Sequence, residues 1–193
     1  MNKIFITIVM MVFCCGCVVP SINPFYTNDV VIQLPQLMGS WDLVSNGSQQ
    51  YKPKQVKSWV IDKEKIATFD EHGLSGQFSY KVFKIDNEIF LDVVPLSEDV
   101  NQFWLMSVFP VHLSLRLNIE GDQLISTPLN YEWVEAKQKS GQLTLPMVKP
   151  TDGQWTVYNV KSQEWVDLLK KYKDEKDFFR EDSKIVLQRI KTL

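Results

Sequence analysis

The chain has 193 residues, of which 45% are apolar and 23% charged, with a formal net charge of −2. That length suits one packed domain, and that balance excludes disordered, collagenous and solenoid chains. Lysine and arginine are spread thinly among the acids with no basic stripe, which excludes the electrostatic footprint of a nucleic-acid binder.

Met1-Asn2-Lys3 is followed by an apolar run from Ile4 to Phe13 and then by Cys14-Cys15-Gly16-Cys17. A basic start, a short apolar core and a small residue at the break predict a secretory signal. An apolar run of about ten residues is too short for a bilayer-spanning helix, which needs roughly twenty. Gly16-Cys17 resembles the lipobox of bacterial lipoproteins, a family in which the signal is cut before a cysteine whose thiol is joined to diacylglycerol. Cys14 and Cys15 depart from that pattern, standing where the family usually has an aliphatic and then a small residue. The resemblance implies that residues 1–16 are removed, that Cys17 is the lipid attachment site, and that the membrane is a partner through that lipid. It places the protein in the bacterial cell envelope. Val18 is not the aspartate that often retains lipoproteins at the inner membrane of enteric bacteria, which implies an outer-membrane address facing the periplasm or the cell exterior. An ordinary secreted protein cut elsewhere, for instance near Pro20, and a buried N-terminal helix are the alternatives. On the lipoprotein reading, none of the three cysteines is left for a disulfide or a metal.

Residues 17–36 carry three prolines with Asn-Pro and Asn-Asp turn signals, and read as a lipidated N-terminus and tether between lipid and domain. Val30, Val31 and Ile32 are candidates for a short strand at its end. From residue 37 to the C-terminus the chain reads as one domain. Its main signal is a series of short apolar or alternating runs at 40–44, 56–61, 66–69, 77–85, 89–94, 103–109, 111–119 and 123–129. Such spacing predicts an antiparallel meander. In the 111–119 run, Val111, Leu113, Leu115, Leu117 and Ile119 share one face while His112, Ser114, Arg116 and Asn118 share the other. Glu120-Gly121-Asp122-Gln123 and Ile85-Asp86-Asn87-Glu88-Ile89 read as tight hairpins. The stretch from Tyr131 is either a short helix stopped by Gly141 or more meander. A clearer helix follows Ser162, its expected N-cap, with Trp165, Leu168, Leu169 and Tyr172 on one face. A closing strand over 184–190 follows.

Strands in this number favour a barrel or a sandwich, since closure removes the exposed edges that a long open sheet would leave. Gly39-Ser40-Trp41 resembles the first-strand Gly-x-Trp signature of lipocalins and related calycin barrels. The resemblance implies a mainly β, up-and-down antiparallel barrel with one C-terminal helix before the last strand. It also implies that Gly39 marks the bend into the first strand, that Trp41 plugs the closed end, and that a basic residue lies over its ring. Arg189 in the last strand is the candidate for that residue, and Arg116 competes with it. A β-rich α+β domain is the alternative fold. The stretch from Asn23 to Trp41 and the last thirty residues are also similar to a set of bacterial lipoproteins with no assigned activity.

No catalytic constellation emerges. His72 lies in the turn Asp70-Glu71-His72-Gly73, no Gly-x-Ser-x-Gly is present, and Ser75 has the wrong spacing for a nucleophile. The acids show no D-x-D pair or EF-hand pattern, so neither a metal nor another cofactor is expected. His112, Ser114 and Arg116 are either ligand-facing groups inside the barrel or a wet outer face. Asp92, the one acid in the apolar run 89–94, needs a partner if it is buried. Six tryptophans and eleven phenylalanines serve equally a core or a lined cavity. The expected function is a non-catalytic, membrane-anchored binding module for a small apolar or amphipathic ligand. The alternative is a structural or interaction lipoprotein with a filled core that contacts an envelope protein of unknown identity.

Overall fold

A computed structural model describes residues 18–46, 56–96, 111–148 and 156–191. The expected signal, Cys17 and the expected strand at 103–109 lie outside the described residues.

Eight strands close into an antiparallel barrel. In chain order they are β2 (Gly39–Asn46), β3 (Ser58–Ile61), β4 (Lys65–Asp70), β5 (Gly73–Ile85), β6 (Glu88–Pro95), β7 (Leu113–Glu120), β8 (Gln123–Pro128) and β11 (Ile185–Arg189). Each pairs with its sequence neighbour, and β11 returns to pair with both β8 and β2, so the topology is the up-and-down one of a lipocalin-like barrel. Two-residue turns build the tight hairpins. Asp86 and Gly121 take the positive φ that such turns require, at 53° and 61°. A short strand β1 (Val31–Ile32) pairs with Val82 and Phe83, covering the edge of β5 beyond the end of β4.

Strand alternation divides the apolar residues between two cores. Trp41, Ile61, Ile66, Leu91, Leu117, Leu124 and Leu187 fill the interior. Phe83, Ile85 and Phe90 point outwards from β5 and β6, and the two helices pack on them. The rings of Phe83 and Phe90, directly opposed across the β5–β6 ladder, are 5.2 Å apart.

The undecided stretch from Tyr131 is a helix, α1 (Tyr131–Lys139), so among the described residues two α-helices rather than one precede the last strand. Asn130 caps it, its side-chain oxygen accepting from the backbone N–H of Glu132 and Trp133. Gly141, at φ 75°, lies just past its end. Between the helices, β9 (Met147–Val148) pairs with β10 (Val157–Tyr158). The second helix, α2 (Ser162–Tyr172), buries Trp165, Val166, Leu168 and Leu169. Its N-cap is Lys161 and not the expected Ser162, which is already helical and makes no capping bond.

The expected tether is corrected most. Residues 18–36 lie along the barrel as a fixed strap, with Val19, Ser21 and Phe25 buried. Ser21 exchanges backbone hydrogen bonds with His112, and the Tyr158 N–H donates to the Pro20 carbonyl. Buried apolar side chains and these backbone bonds offset the entropy that the prolines and turn signals suggested would keep the segment free.

Candidate ligand-binding site

The barrel interior is packed at one end, and towards the other the described residues line an apolar cavity. At the packed end, Gly39 opens β2 with φ 129°, and a Cβ there would stand 2.8 Å from the Arg189 guanidinium. Two residues on, Trp41 is fully buried and its indole N–H donates to the Leu37 carbonyl at 3.0 Å. The carbon at the centre of the Arg189 guanidinium lies 4.0 Å from the centre of the Trp41 ring. Arg189 also donates to the carbonyls of Met38, at 2.8 Å, and Gln36. One cation thus covers the indole and ties the strap to the last strand. Arg116, the competing candidate, instead lies over Phe179 at 4.3 Å and pairs with Glu181 on the outer surface.

Trp59 faces Trp41 across the β2–β3 ladder. Beyond it, towards the opposite end, the interior holds a cavity of about 350 Å³. Its wall includes Leu43, Ile66, Phe78, Val93, Leu115 and Ile185, and it carries no charged side chain among the described residues. Among the described lining residues, polar side-chain atoms come only from the Trp59 indole N–H and the Thr68 hydroxyl, and that hydroxyl already donates to the Gly76 carbonyl. A space of this size lies within the roughly 300–1,000 Å³ range of small-molecule sites. The lining selects hydrocarbon, because an ion placed there would be desolvated with no partner.

His112, Ser114 and Arg116 face out of the barrel, since Leu113, Leu115 and Leu117 between and beside them point in. They are therefore not cavity groups. Nor is the face wet at His112 and Ser114. Asp92, 2% exposed, shares a 2.6 Å hydrogen bond with His112 Nδ1 and accepts from the Phe25 backbone N–H at 2.9 Å. Burial pushes the Asp92 carboxyl above the usual carboxylate range, while the His112 hydrogen bond, the Phe25 N–H and the histidine's charge oppose that rise. Ser114 is buried beside this pair, directly across the ladder from Asp92, and its hydroxyl has no partner among the described residues. No serine, threonine or cysteine among the described residues hydrogen-bonds His112 as a nucleophile would. The pair instead locks the strap at Phe25 to β6 and β7.

Asp92's need for a partner was visible in its apolar strand, but the identity of that partner was not. Outward positions on adjacent strands carry both residues, so strand alternation was the available signal. His72 is exposed, in the β4–β5 turn, beside Glu71. Among the described residues no group of three histidines, cysteines or acids could hold a metal ion. Comparisons with protein-family models, curated proteins and solved structures find no match to this chain.

Proposed function

We propose that this chain is a lipid-anchored envelope protein of bacteria that holds a small apolar or amphipathic molecule inside its barrel without transforming it. The apolar cavity of about 350 Å³ carries the reading. Apolar side chains that line such a cavity gain dispersion contacts from an apolar molecule held in it. The cavity among the described residues also favours this reading over the alternative of a filled core that serves only as a structural scaffold. The anchor rests on the signal-like start and on Gly16-Cys17, and the outer-membrane address on Val18.

Native mass spectrometry of the protein extracted from its own membranes tests the ligand. The expected result is a retained small molecule whose mass is lost on denaturation. Repeated recovery of empty protein with a collapsed interior overturns the reading. The anchor is tested separately by Cys17→Ser, which should block normal processing and release the protein from membranes.

A further inference from the structure

We infer that the molecule held in the barrel is not plain hydrocarbon but carries a carbonyl or hydroxyl oxygen, and that the Trp59 indole N–H selects it by donating to that oxygen. This rests on the ligand-binding reading above and adds to it the chemical class of the ligand and the residue that recognises it.

The first observation is an indole donor with nothing to donate to. Trp41 and Trp165, each fully buried, donate their indole N–H to the Leu37 carbonyl and the Ser21 hydroxyl, at 3.0 and 2.8 Å. Trp59 is 9% exposed and lines the cavity, yet its N–H meets no acceptor among the described residues. An N–H withdrawn from water without an acceptor costs free energy, and it costs more in apolar surroundings, where nothing screens its dipole. An acceptor brought in by a ligand removes that cost.

The second observation is the neighbour of that donor. Thr68 stands directly opposite Trp59 on the β3–β4 ladder and shares the cavity wall with it. Its hydroxyl proton is used on the Gly76 carbonyl, at 3.2 Å, and the Ser75 hydroxyl lies 3.1 Å from the same oxygen. Thr68 therefore presents an acceptor to the cavity, beside the donor of Trp59. A ligand hydroxyl can accept from Trp59 and donate to Thr68, while a carbonyl uses the Trp59 donor alone.

The third observation is where the polar atoms stand. Both belong to β3 and β4, while Val93, Leu113, Leu115 and Ile185 on β6, β7 and β11 add only hydrocarbon to the wall. A small polar spot in an otherwise apolar lining fixes the orientation of a ligand and sets its specificity. An ionised head group would meet no countercharge among these side chains, so the oxygen that suits the spot is a neutral one.

The test compares nonane, 2-nonanone and 2-nonanol, one carbon skeleton with and without the oxygen, on the purified full-length chain. Each affinity is divided by the probe's hexadecane–water partition coefficient, which leaves the gain specific to the site. The oxygen-bearing probes should exceed nonane by about tenfold, the size of one hydrogen bond made to a buried donor. In proton–nitrogen correlation spectra the ketone should shift the Trp59 indole signal, while those of Trp41 and Trp165, already bonded, keep their positions. Trp59→Phe should abolish the preference and leave nonane binding within about twofold, since only the hydrogen bond is lost. Equal corrected affinities for all three probes, or a preference that survives Trp59→Phe, overturn the inference while the ligand-binding reading stands. Failure of all three probes to bind the wild type overturns both. Should Trp59→Phe not fold, the wild-type affinities and the indole shift decide by themselves.

Discussion

Arg189 and Trp41 are directly opposed on β11 and β2, and the guanidinium carbon lies 4.0 Å from the centre of the indole while the group still donates to the Met38 and Gln36 carbonyls. The contact joins the two strands whose pairing closes the barrel. Arg189→Ala removes a cation–π contact and two charge-assisted hydrogen bonds, so a loss of about 2–3 kcal/mol is expected in denaturant unfolding. Arg189→Lys keeps the charge but cannot serve ring and both carbonyls together, and should fall between. Equal stability of all three proteins would show that the contact contributes nothing.

Gly39→Ala should cost about 1–3 kcal/mol, because the backbone there is at φ 129° and the new Cβ would meet the Arg189 guanidinium at 2.8 Å. In the Gly39→Ala, Arg189→Ala double variant the steric part disappears and the backbone part stays. The combined loss should therefore be smaller than the sum of the two single losses. Simple additivity in a double-mutant cycle would contradict this geometry.

Asp92 gives a pH signature. Burial raises its carboxyl above the ordinary value, against the opposing effects of the His112 hydrogen bond, the Phe25 N–H and the histidine charge. Folding therefore favours the protonated acid. That contribution is fully present below the ordinary carboxylate range and is lost as pH rises through the folded-state value. Asp92→Asn keeps the acceptor for Phe25 N–H and does not ionise. Measured against it from pH 3.5 to 7, the wild type should lose ground as pH rises. His112 and Tyr26 are titratable groups that also interact with Asp92, and both remain in the variant. A wild type that gains on Asp92→Asn with rising pH would contradict the assignment.

Two buried serines should respond oppositely to alanine. Ser21 Oγ accepts from the Trp165 indole at 2.8 Å and from the Asn23 N–H, and donates to the Asn23 carbonyl. Ser21→Ala leaves a buried indole N–H unpaired, at an expected cost of about 1–3 kcal/mol. Ser126 is fully buried and its hydroxyl has no partner among the described residues, so Ser126→Ala should be neutral or stabilising by up to about 1 kcal/mol. Thermal unfolding of the pair checks the contrast, and a larger loss at Ser126 would reverse it.

Asn130 holds the start of α1 from both ends of its amide. Its oxygen caps the helix, and its nitrogen donates to the Asp177 carbonyl at 2.9 Å, where Asp177 has φ 63°. Asn130→Ala should lose about 1–2 kcal/mol. Asn130→Asp keeps the cap but not the donor, and should lose less. Stability curves that rank Asp below Ala would rule out the capping role.

The strands were legible because alternation survives in the chain. In the 111–119 run, every second residue from Leu113 to Ile119 enters the barrel, as its pattern indicates. Gly39, Trp41 and Arg189 were legible as a group only through resemblance, since nothing local links residue 189 to residue 41. The helix at Tyr131 was undecided because Trp133 and Val134 pack on the outside of the barrel, a surface that no periodicity within nine residues reveals. The strap was misread for a related reason. Prolines and turn residues specify local bends, and bends do not say whether the segment is bound.

By itself the sequence determined the mainly β character, the tight hairpins and the helix after Ser162, all of which depend on neighbours within a few positions. Closure of the barrel, the Asp92–His112 pair beneath Phe25, the split between a packed floor and an apolar cavity, and the place of Val18 in the wall of that cavity were decided only by tertiary structure. Each depends on which strand faces share a space. A side chain's periodicity names its face but not the residues, from distant parts of the chain, that it meets there.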